Sequence, residues 1–452
     1  MKVTIIGTGY VGLTTALVLS YLNHDVSAVD KDINKLNLLQ EGNCPIHEPY
    51  LQEFLDEVGY NIRFTLDIAD VVPDSDLVLI AVGTPPKKSG EADTSHVETA
   101  AKEVAEVCHP DKHYTLVIKS TVPIGTNRRV AEVINDVFSQ RQVKGDVSVA
   151  SNPEFLQEGL ALHGALYPDR IVVGANTENA LNDLRRLYQP ILEQTFDSPT
   201  LLPRPESYHL PPMMTTDPNS AEMIKYAANT FLALKISFIN EIAGLCEEVR
   251  ADVTEVARGI GLDSRIGHRF LRAGLGWGGS CYPKDTAALL GVATENDYEM
   301  PITEAARKVN FKQRKHIVDK LREVLKTLEG KTIGILGLSF KPNTDDVREA
   351  PSLDIIRQLV DEGAVVRAHD PVAIPNAKNA FSDHSIHFIP DVYQLPMNTD
   401  AIVLVTEWDL YHKLDLRRLA KLMKTPILID GRNVYSPQDV INAGIHYIGI
   451  GR

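Results

Sequence analysis

Short runs of β-branched and other apolar residues recur at both ends of this chain, separated by longer amphipathic stretches. In the first 200 residues the runs are Lys2–Ile6, Asp25–Val29, Leu77–Ala81, Thr115–Ile118, Val147–Ala150 and Arg170–Val173. Short runs alternating with helical patterns predict βαβ units, and hence a parallel sheet covered by helices. KTIGILG at 331–337 restarts the rhythm, with further runs at Val365–His369, Ala401–Val405 and Pro426–Ile429. Between the two regions lies a long helical pattern from Asn219 to Val249. Its Ile224, Ala228, Phe231, Lys235, Ile239 and Ile242 fall near one stripe, with other apolar positions beside it. Apolarity on nearly every side predicts burial between domains or subunits. More helices are predicted over 252–263, 283–296 and 302–328. The chain therefore reads as α/β, with two parallel-sheet domains joined by a long central helix and a helical region.

A length of 452 residues suits two or three domains. Residues 198–219 hold six prolines, cannot form a continuous helix, and read as a linker or surface loop. The expected divisions are 1–200, a linker over 201–219, a helical region over 220–328, and 329–452. A net charge of −14 argues against a nucleic-acid binder, which would show a basic face. An anionic small ligand needs only a few local cations and stays open. No apolar run reaches the length of a membrane span. MKVTIIGTGY reads as a strand, not a signal peptide, so a cytoplasmic location is expected. Cys44, Cys108, Cys246 and Cys281 show no C-x-x-C spacing, so neither a metal nor a disulfide framework is expected.

Gly7, Gly9 and Gly12 form G-T-G-Y-V-G directly after the first strand run and before an apolar helical pattern. In that context the glycines serve a tight turn, close approach to a pyrophosphate and close helix packing. Asp30 closes the second run about 20 residues on. A carboxylate there accepts from ribose hydroxyls and repels a 2′-phosphate, which favours NAD over NADP. The domains are thus expected to be Rossmann-like. Thr84, Ser120 and Thr121 follow later strand runs, where open α/β sheets bind their ligands. For each of them, simple turn chemistry is the competing reading.

Three features in the middle of the chain suggest chemistry. SNPEFLQEG at 151–159 predicts a helix with Asn152 as N-cap and Pro153 at its first position. Glu154 and Glu158 would then share a face, either solvated or turned toward a site. Lys225 and Asn229 are an i, i+4 pair on a mostly apolar helix. Together they offer a cation and an amide to an oxyanion, or else an interhelical hydrogen bond and a snorkelling lysine. Cys281 stands in GLGWGGSCYPKD at 274–285, among four glycines. A structural thiol leaves those glycines unexplained, whereas a nearby Lys225 or Lys284 would favour a reactive thiolate.

GTGYVG, KSTVPIGT, NPEFLQEG, AEMIKYAANTFLALKISFINE, GWGGSCYPKD and LSFKPNTDDVREAP occur in one order along the chain. Over essentially its full length the chain resembles the UDP-glucose/GDP-mannose dehydrogenase family. The resemblance implies an NAD-binding N-terminal region, central helical dimerisation and a nucleotide-sugar-binding C-terminal region. It implies that a primary alcohol is oxidised twice to a carboxylate, consuming two NAD+. UDP-glucose to UDP-glucuronate is the leading reaction, with GDP-mannose or a UDP-N-acetylhexosamine as alternatives. By resemblance Cys281 is the nucleophile, forming a thiohemiacetal and then a thioester that water hydrolyses. Lys225 and Asn229 would stabilise the oxyanions, Asp285 would tune Lys225 and an ordered water, and Thr121 and Glu154 would hold that water.

The resemblance also implies binding groups. Gly7 through Gly12, with Tyr10 and Val11 between, would meet NAD together with Asp30, Lys35, Thr84, Ser120, Thr121 and Arg348. Glu158 would touch the cofactor or support the site. Glu154, Phe155 through Glu158 with Leu156 between, Phe270, Arg272, Leu275 and Gly278 would line the sugar and uridine pocket. Phe340, Lys341 and Arg432 would follow strand ends of the last domain, and Arg265 would reach across a dimer interface. There are departures. GILGLSFK lacks the three-glycine fingerprint, which suits a nucleotide sugar better than a second dinucleotide. The proline-rich segment is longer than the family pattern, and Trp277 and Tyr282 stand where phenylalanine is common. A non-catalytic nucleotide-sugar sensor, or a simple two-electron alcohol dehydrogenase, would not need Cys281.

Overall fold

The strand runs form two separate sheets in a computed structural model that describes residues 1–87, 90–381 and 386–452. The chain divides into two units, Met1–Ala227 and Ala228–Arg452. The first unit contains β1 (Lys2–Ile6), β2 (Asp25–Val29), β3 (Ile62–Thr65), β4 (Leu77–Ile80), β5 (His113–Ile118), β6 (Asp146–Ser151), β7 (Ile171–Ala175) and β8 (Met213–Thr216). Their order is β3-β2-β1-β4-β5-β6-β7-β8. All neighbours are parallel except the antiparallel pair β6 and β7. Ile5 stands opposite Ala28 on one side and Leu79 on the other.

All four residues of β4 are buried, as a strand covered on both faces requires. One face packs against Leu13, Leu17, Phe54 and Leu184, the other against Val97, Val104, Val130 and Ile134. Each fully buried Leu, Ile or Phe contributes roughly 1.5–3 kcal/mol relative to exposure. Strand order reverses between β1 and β4, which opens a crevice at their carboxyl ends.

The second unit holds β9 (Thr332–Leu336), β10 (Val365–His369), β11 (Ile386–Phe388), β12 (Ala401–Leu404), β13 (Ile427–Asp430) and β14 (His446–Ile448). The order β11-β10-β9-β12-β13-β14 repeats that of the first six strands, and every pairing is parallel. The turn after the first strand also repeats. Gly7 and Gly337 both have φ of +99°, and their N–H groups donate to Val29 and His369 carbonyls at 2.7 and 2.8 Å. The fold is thus α/β with two Rossmann-like sheets, as the sequence predicts.

Two expectations change in detail. Residues 201–219 are not an open linker. Leu202 is buried, the Tyr208 hydroxyl donates to the Pro168 carbonyl at 2.9 Å, and residues 213–216 form edge strand β8. Prolines stop a helix here without stopping an edge strand. The helix Pro218–Val249 spans 32 residues, so the division between units falls inside it. Within the single chain it is buried along part of its surface only. Tyr226, Ala233, Ile239 and Ala243 are buried, whereas Phe231, Phe238 and Leu245 are 61%, 46% and 58% exposed. Among the described residues no helix is long and apolar enough to cross a membrane.

Within the second unit, Glu247 ties three elements together. Its carboxylate accepts from Gly451 N at 2.7 Å and meets His316 at 3.1 Å and Lys320 at 2.9 Å on the helix Pro301–Leu325. Burial works against its charge, but the His316 and Gly451 hydrogen bonds and Lys320 outweigh it and hold the pKa at about 2. A depressed carboxylate pKa stabilises the fold above its unfolded value, and that stability is lost as pH falls through the folded value. Glu247→Gln is therefore expected to cost on the order of 2 kcal/mol at pH 7. Urea unfolding from pH 7 down to pH 2 checks this: the gap to wild type should narrow below pH 4.5. A gap independent of pH would contradict the assignment.

Candidate active site

In the first unit the chain turns through Gly7 into the helix Tyr10–Tyr21. A Cβ on Gly7 would lie 2.7 Å from the Ala81 carbonyl oxygen, and one on Gly12 only 1.8 Å from that of Gly7. These two glycines let helix and strand meet. Gly9 differs, since a Cβ there would meet nothing within 4 Å. It faces open space at a helix N-terminus, where dipole and N–H groups favour an anion. Tyr10 and Val11 start that helix. The turn fits the pyrophosphate of a dinucleotide.

Asp30 follows β2. One oxygen accepts from Thr8 N at 2.8 Å and from the Thr8 hydroxyl at 2.7 Å, and the other accepts from Asp32 N at 3.0 Å. Lys35 Nζ stands 4.0 Å away. Burial opposes the charge, but those hydrogen bonds and Lys35 keep the pKa below its ordinary value. The Thr84 hydroxyl donates to the Thr121 carbonyl at 2.8 Å, and the Ser120 hydroxyl to that of Val82 at 2.7 Å. The loops after β4 and β5 are thereby joined, and Thr84, Ser120 and Thr121 come together.

The stretch after β6 is a loop, not the expected helix. Asn152 does not cap. Its amide donates to the Val172 carbonyl at 2.8 Å, and its oxygen accepts from Lys119 Nζ and the Tyr188 hydroxyl. Gly159, at φ +80°, and Ala161 give their N–H groups to the Glu48 carboxylate at 2.6 and 2.7 Å. Glu154 and Glu158 consequently do not share a helix face. Glu154 turns inward and accepts from Lys225 Nζ at 2.9 Å and Leu156 N at 2.6 Å. The pair is buried, with Lys225 4% and Glu154 8% exposed. Burial opposes the Glu154 charge, yet Lys225, the Leu156 N–H and Lys119 hold its pKa below the ordinary value. Phe155 lies 5.3 Å from Lys225 Nζ and under the Arg170 guanidinium at 3.8 Å.

Ser120, Thr121, Pro153 and Lys225 line a small cleft with Glu222, which sequence reasoning missed. The Glu222 carboxylate accepts from Gly125 N at 2.6 Å and Asn127 N at 2.9 Å, and burial raises its pKa. Its signal was an acidic residue one turn before Lys225 on an apolar helix.

In the second unit Cys281 is exposed and immediately precedes the helix Tyr282–Glu295. The thiols of Cys44 and Cys108 are instead pushed up to about 12 by burial. Asp285 is 1% exposed, and its oxygens meet Asn229 Nδ2 at 2.6 Å and Lys284 Nζ at 2.6 Å. The glycines before Cys281 have a reason other than ligand approach. A Cβ on Gly274 would lie 2.6 Å from the Gly431 carbonyl oxygen, on Gly278 2.3 Å from that of Glu349, and on Gly279 2.6 Å from the Phe340 ring. They let the cysteine loop lie directly on loops from the second sheet. Asn240 and Asn310 hold it from behind, accepting from Gly274 N at 2.8 Å and Trp277 N at 2.7 Å.

Arg432 donates to the Val405 carbonyl at 2.7 Å and stands 3.3 Å from Glu407. Arg272, Glu407, His412, Arg432 and Asn433 line a cleft of about 330 Å³ beyond β12 and β13. Lys341 Nζ lies 5.3 Å from the Phe340 ring. Other expected groups lie differently. Leu275 is wholly buried in the core, so its side chain is not presented to a cleft. Phe270 is half-buried at φ +66°. Arg348 forms a two-point ion pair with Asp346, and Arg265 is 86% exposed beside Asp263. Among the described residues no group of His, Cys, Asp or Glu is placed to hold a metal ion.

Three family models match the chain in order. They describe the NAD binding domain of the UDP-glucose/GDP-mannose dehydrogenase family over residues 1–192, its central domain over 219–312, and its UDP binding domain over 334–437. The UDP-glucose 6-dehydrogenase TuaD of Bacillus subtilis is 44% identical over 455 residues, covering 100% of this chain and 93% of its own. A UDP-glucose dehydrogenase from Pyrobaculum islandicum is similar in structure with a TM-score of 0.88 at 36% identity, over 99% of this chain and 96% of its own. A UDP-D-ManNAc dehydrogenase from Pyrococcus horikoshii reaches 0.84 at 26% identity, over 100% and 99%. Full-length matches to all three parts, on a chain whose glycine turn and Asp30 suit a dinucleotide, place it in one group: the chain belongs to the UDP-glucose/GDP-mannose dehydrogenase family.

Proposed function

We propose that the chain oxidises UDP-glucose to UDP-glucuronate with NAD+, through a covalent intermediate on Cys281. The substrate follows the relatives: identity is 44% to a UDP-glucose 6-dehydrogenase and 26% to a UDP-D-ManNAc dehydrogenase. The observation that carries the mechanism is the exposed Cys281 thiol at a helix N-terminus, one turn from the buried Asp285–Asn229 pair. A non-catalytic sensor has no use for that arrangement.

Bound NAD+ supplies the hydride acceptor for both oxidations. The residues do the rest. The first oxidation of the C6 alcohol releases a proton and leaves an aldehyde, whose planar carbon has no readily transferable hydride. Addition of the Cys281 thiolate forms a C–S bond and a tetrahedral thiohemiacetal. Its oxidation leaves a thioester, and water attacks the carbonyl, breaks the C–S bond and returns the thiol. In this reading Lys225 and Asn229, one turn apart on their helix, carry the negative oxygen formed at each stage. Thr121 and Glu154 hold the water. Asp285 orients the Asn229 amide, because its carboxylate accepts from Asn229 Nδ2. Gly7 to Gly12, Asp30, Lys35, Thr84 and Ser120 bind the dinucleotide, with Arg348 and Glu158 as further contacts. Arg272, Gly278, Phe340, Lys341 and Arg432 bind the nucleotide sugar, with Phe155, Leu156, Phe270 and the backbone of Leu275.

The chain is further proposed to act as a homodimer. Phe231, Phe238 and Leu245 recur every seven residues, so they share one face of the helix Pro218–Val249. All three are large, apolar and exposed. A second copy of this face is its proposed occupant, with Arg265 at the interface.

Cys281→Ser is expected to bind UDP-glucose and NAD+ within about threefold of wild type yet lose steady turnover by at least about 10³-fold. Calorimetry and NADH absorbance check both halves, and normal turnover would sink the covalent mechanism. Light scattering should give a dimer mass for the wild type and a monomer for Phe238→Asp. A monomeric wild type, or an unchanged mass in the variant, would contradict the interface.

A further inference from the structure

Lys119 follows β5 and is only 9% exposed. Its ammonium donates to Asn152 Oδ1 at 3.1 Å and to the Tyr188 hydroxyl at 3.2 Å, and stands 5.7 Å from the Tyr188 ring. Those acceptors are an amide and a phenol, neither of which brings a carboxylate's charge. Burying an ammonium carries a large desolvation penalty, and neutral acceptors return only part of it. If the role were to join strand ends, an apolar or neutral side chain would serve.

The ammonium holds the loop that carries one acid. Asn152 takes the Lys119 ammonium and the Tyr188 hydroxyl on the same oxygen, the latter at 2.5 Å, and its N–H donates to the Ile118 carbonyl at 2.9 Å. Two residues later in the same loop comes Glu154, with Lys225 on its other side. Lys119 is among the groups that lower the Glu154 pKa, after Lys225 and the Leu156 N–H. The other charged groups around this loop are Glu158 within it, Glu48, which takes the Gly159 and Ala161 N–H groups, Arg170, over Phe155, and Glu222, which lines the cleft from the Lys225 helix.

We propose that Lys119 is a positioning residue for the reaction: its buried ammonium fixes the Asn152 loop and keeps Glu154 a carboxylate independently of Lys225. The inference rests on the proposed role of Glu154 in holding water. Lys225 is the strongest partner of Glu154, and it is also the cation assigned to each oxyanion. When Lys225 turns its charge toward the substrate, Glu154 would lose its main support and take up a proton. A protonated Glu154 cannot accept a proton from the attacking water. Lys119 is held by Asn152 and Tyr188 and is assigned no bond to the substrate, so its charge behind the loop stays in place through the steps.

The test uses the full chain without substrate. Infrared titration reads the Glu154 carboxylate band, isolated by subtracting the spectrum of Glu154→Gln made in each background. Lys119→Met, nearly isosteric and uncharged, is expected to move the titration of that band to higher pH. Lys119→Arg should bring it back toward wild type, and Tyr188→Phe, which keeps the ammonium, should leave it in place. An unmoved band in Lys119→Met, or equal shifts in all three variants, would overturn the proposal in favour of a purely structural role. If Lys119→Met does not fold, Lys119→Gln carries the same reading. The band reports no turnover, so this result and the fate of the proposed reaction are separable.

Discussion

A methyl group at Gly12 would sit 1.8 Å from the carbonyl oxygen of Gly7. That one close approach lets the first helix start directly over the end of β1. It thereby aims a helix N-terminus into the crevice where strand order reverses. The second sheet repeats the turn at Gly337, where a Cβ would lie 2.4 Å from the Cβ of Thr406. The acids that follow the neighbouring strands diverge, however. Asp30 retains some exposure and lies beside Lys35. Asp370, 3% exposed, accepts from Leu338 N, Ser339 N, Val372 N, Ala373 N, the Ser339 hydroxyl and the Trp408 indole. A carboxylate offers about four acceptor sites, so Asp370 has none left for a ribose. Two copies of one topology therefore present different chemistry, and only the first leaves its acid with acceptor capacity to spare.

The central strands were legible because buried parallel strands must be apolar on both faces. Leu77–Ile80 and Ala401–Leu404 leave little else to conclude. The edge strands were not. β3, β8, β11 and β14 are three or four residues long and half covered, so their sequences mix polar with apolar residues. The glycine turn and Asp30 were readable for the same reason as the core: each answers a local steric or hydrogen-bonding demand. After β6, Asn-Pro-Glu is a strong capping pattern, which is why the sequence predicts a helix there. Tertiary partners override it, with Glu48 more than 100 positions away taking the N–H groups a helix would need. Glu222 stands one turn before Lys225 and Lys119 opens KSTVPIGT, but nothing local to them or to Tyr188 tells what they meet. Their meaning comes from residues brought together by the sheet.

Charge organises the chemistry of the first unit. The buried Glu154–Lys225 pair would be a poor source of stability, since desolvation offsets most of the attraction. Its value lies in fixing an anion and a cation where water cannot screen them. The proposed nucleophile of the second unit has a different setting: an exposed thiol on a loop packed tightly by its glycines and anchored by Asn240 and Asn310. Rigidity around Cys281 and fixed charge around Glu154 are both forms of preorganisation, the usual source of large catalytic effects. A single two-electron oxidation would need the dinucleotide and a base. The thiol has a purpose only if oxidation continues past the aldehyde.

The most direct measurement is the NADH formed per UDP-glucose consumed, with the sugar limiting and GDP-mannose run in parallel. The account requires two NADH per UDP-glucose and none from GDP-mannose. One NADH per UDP-glucose would mean that oxidation stops at the aldehyde and would contradict the role given to Cys281.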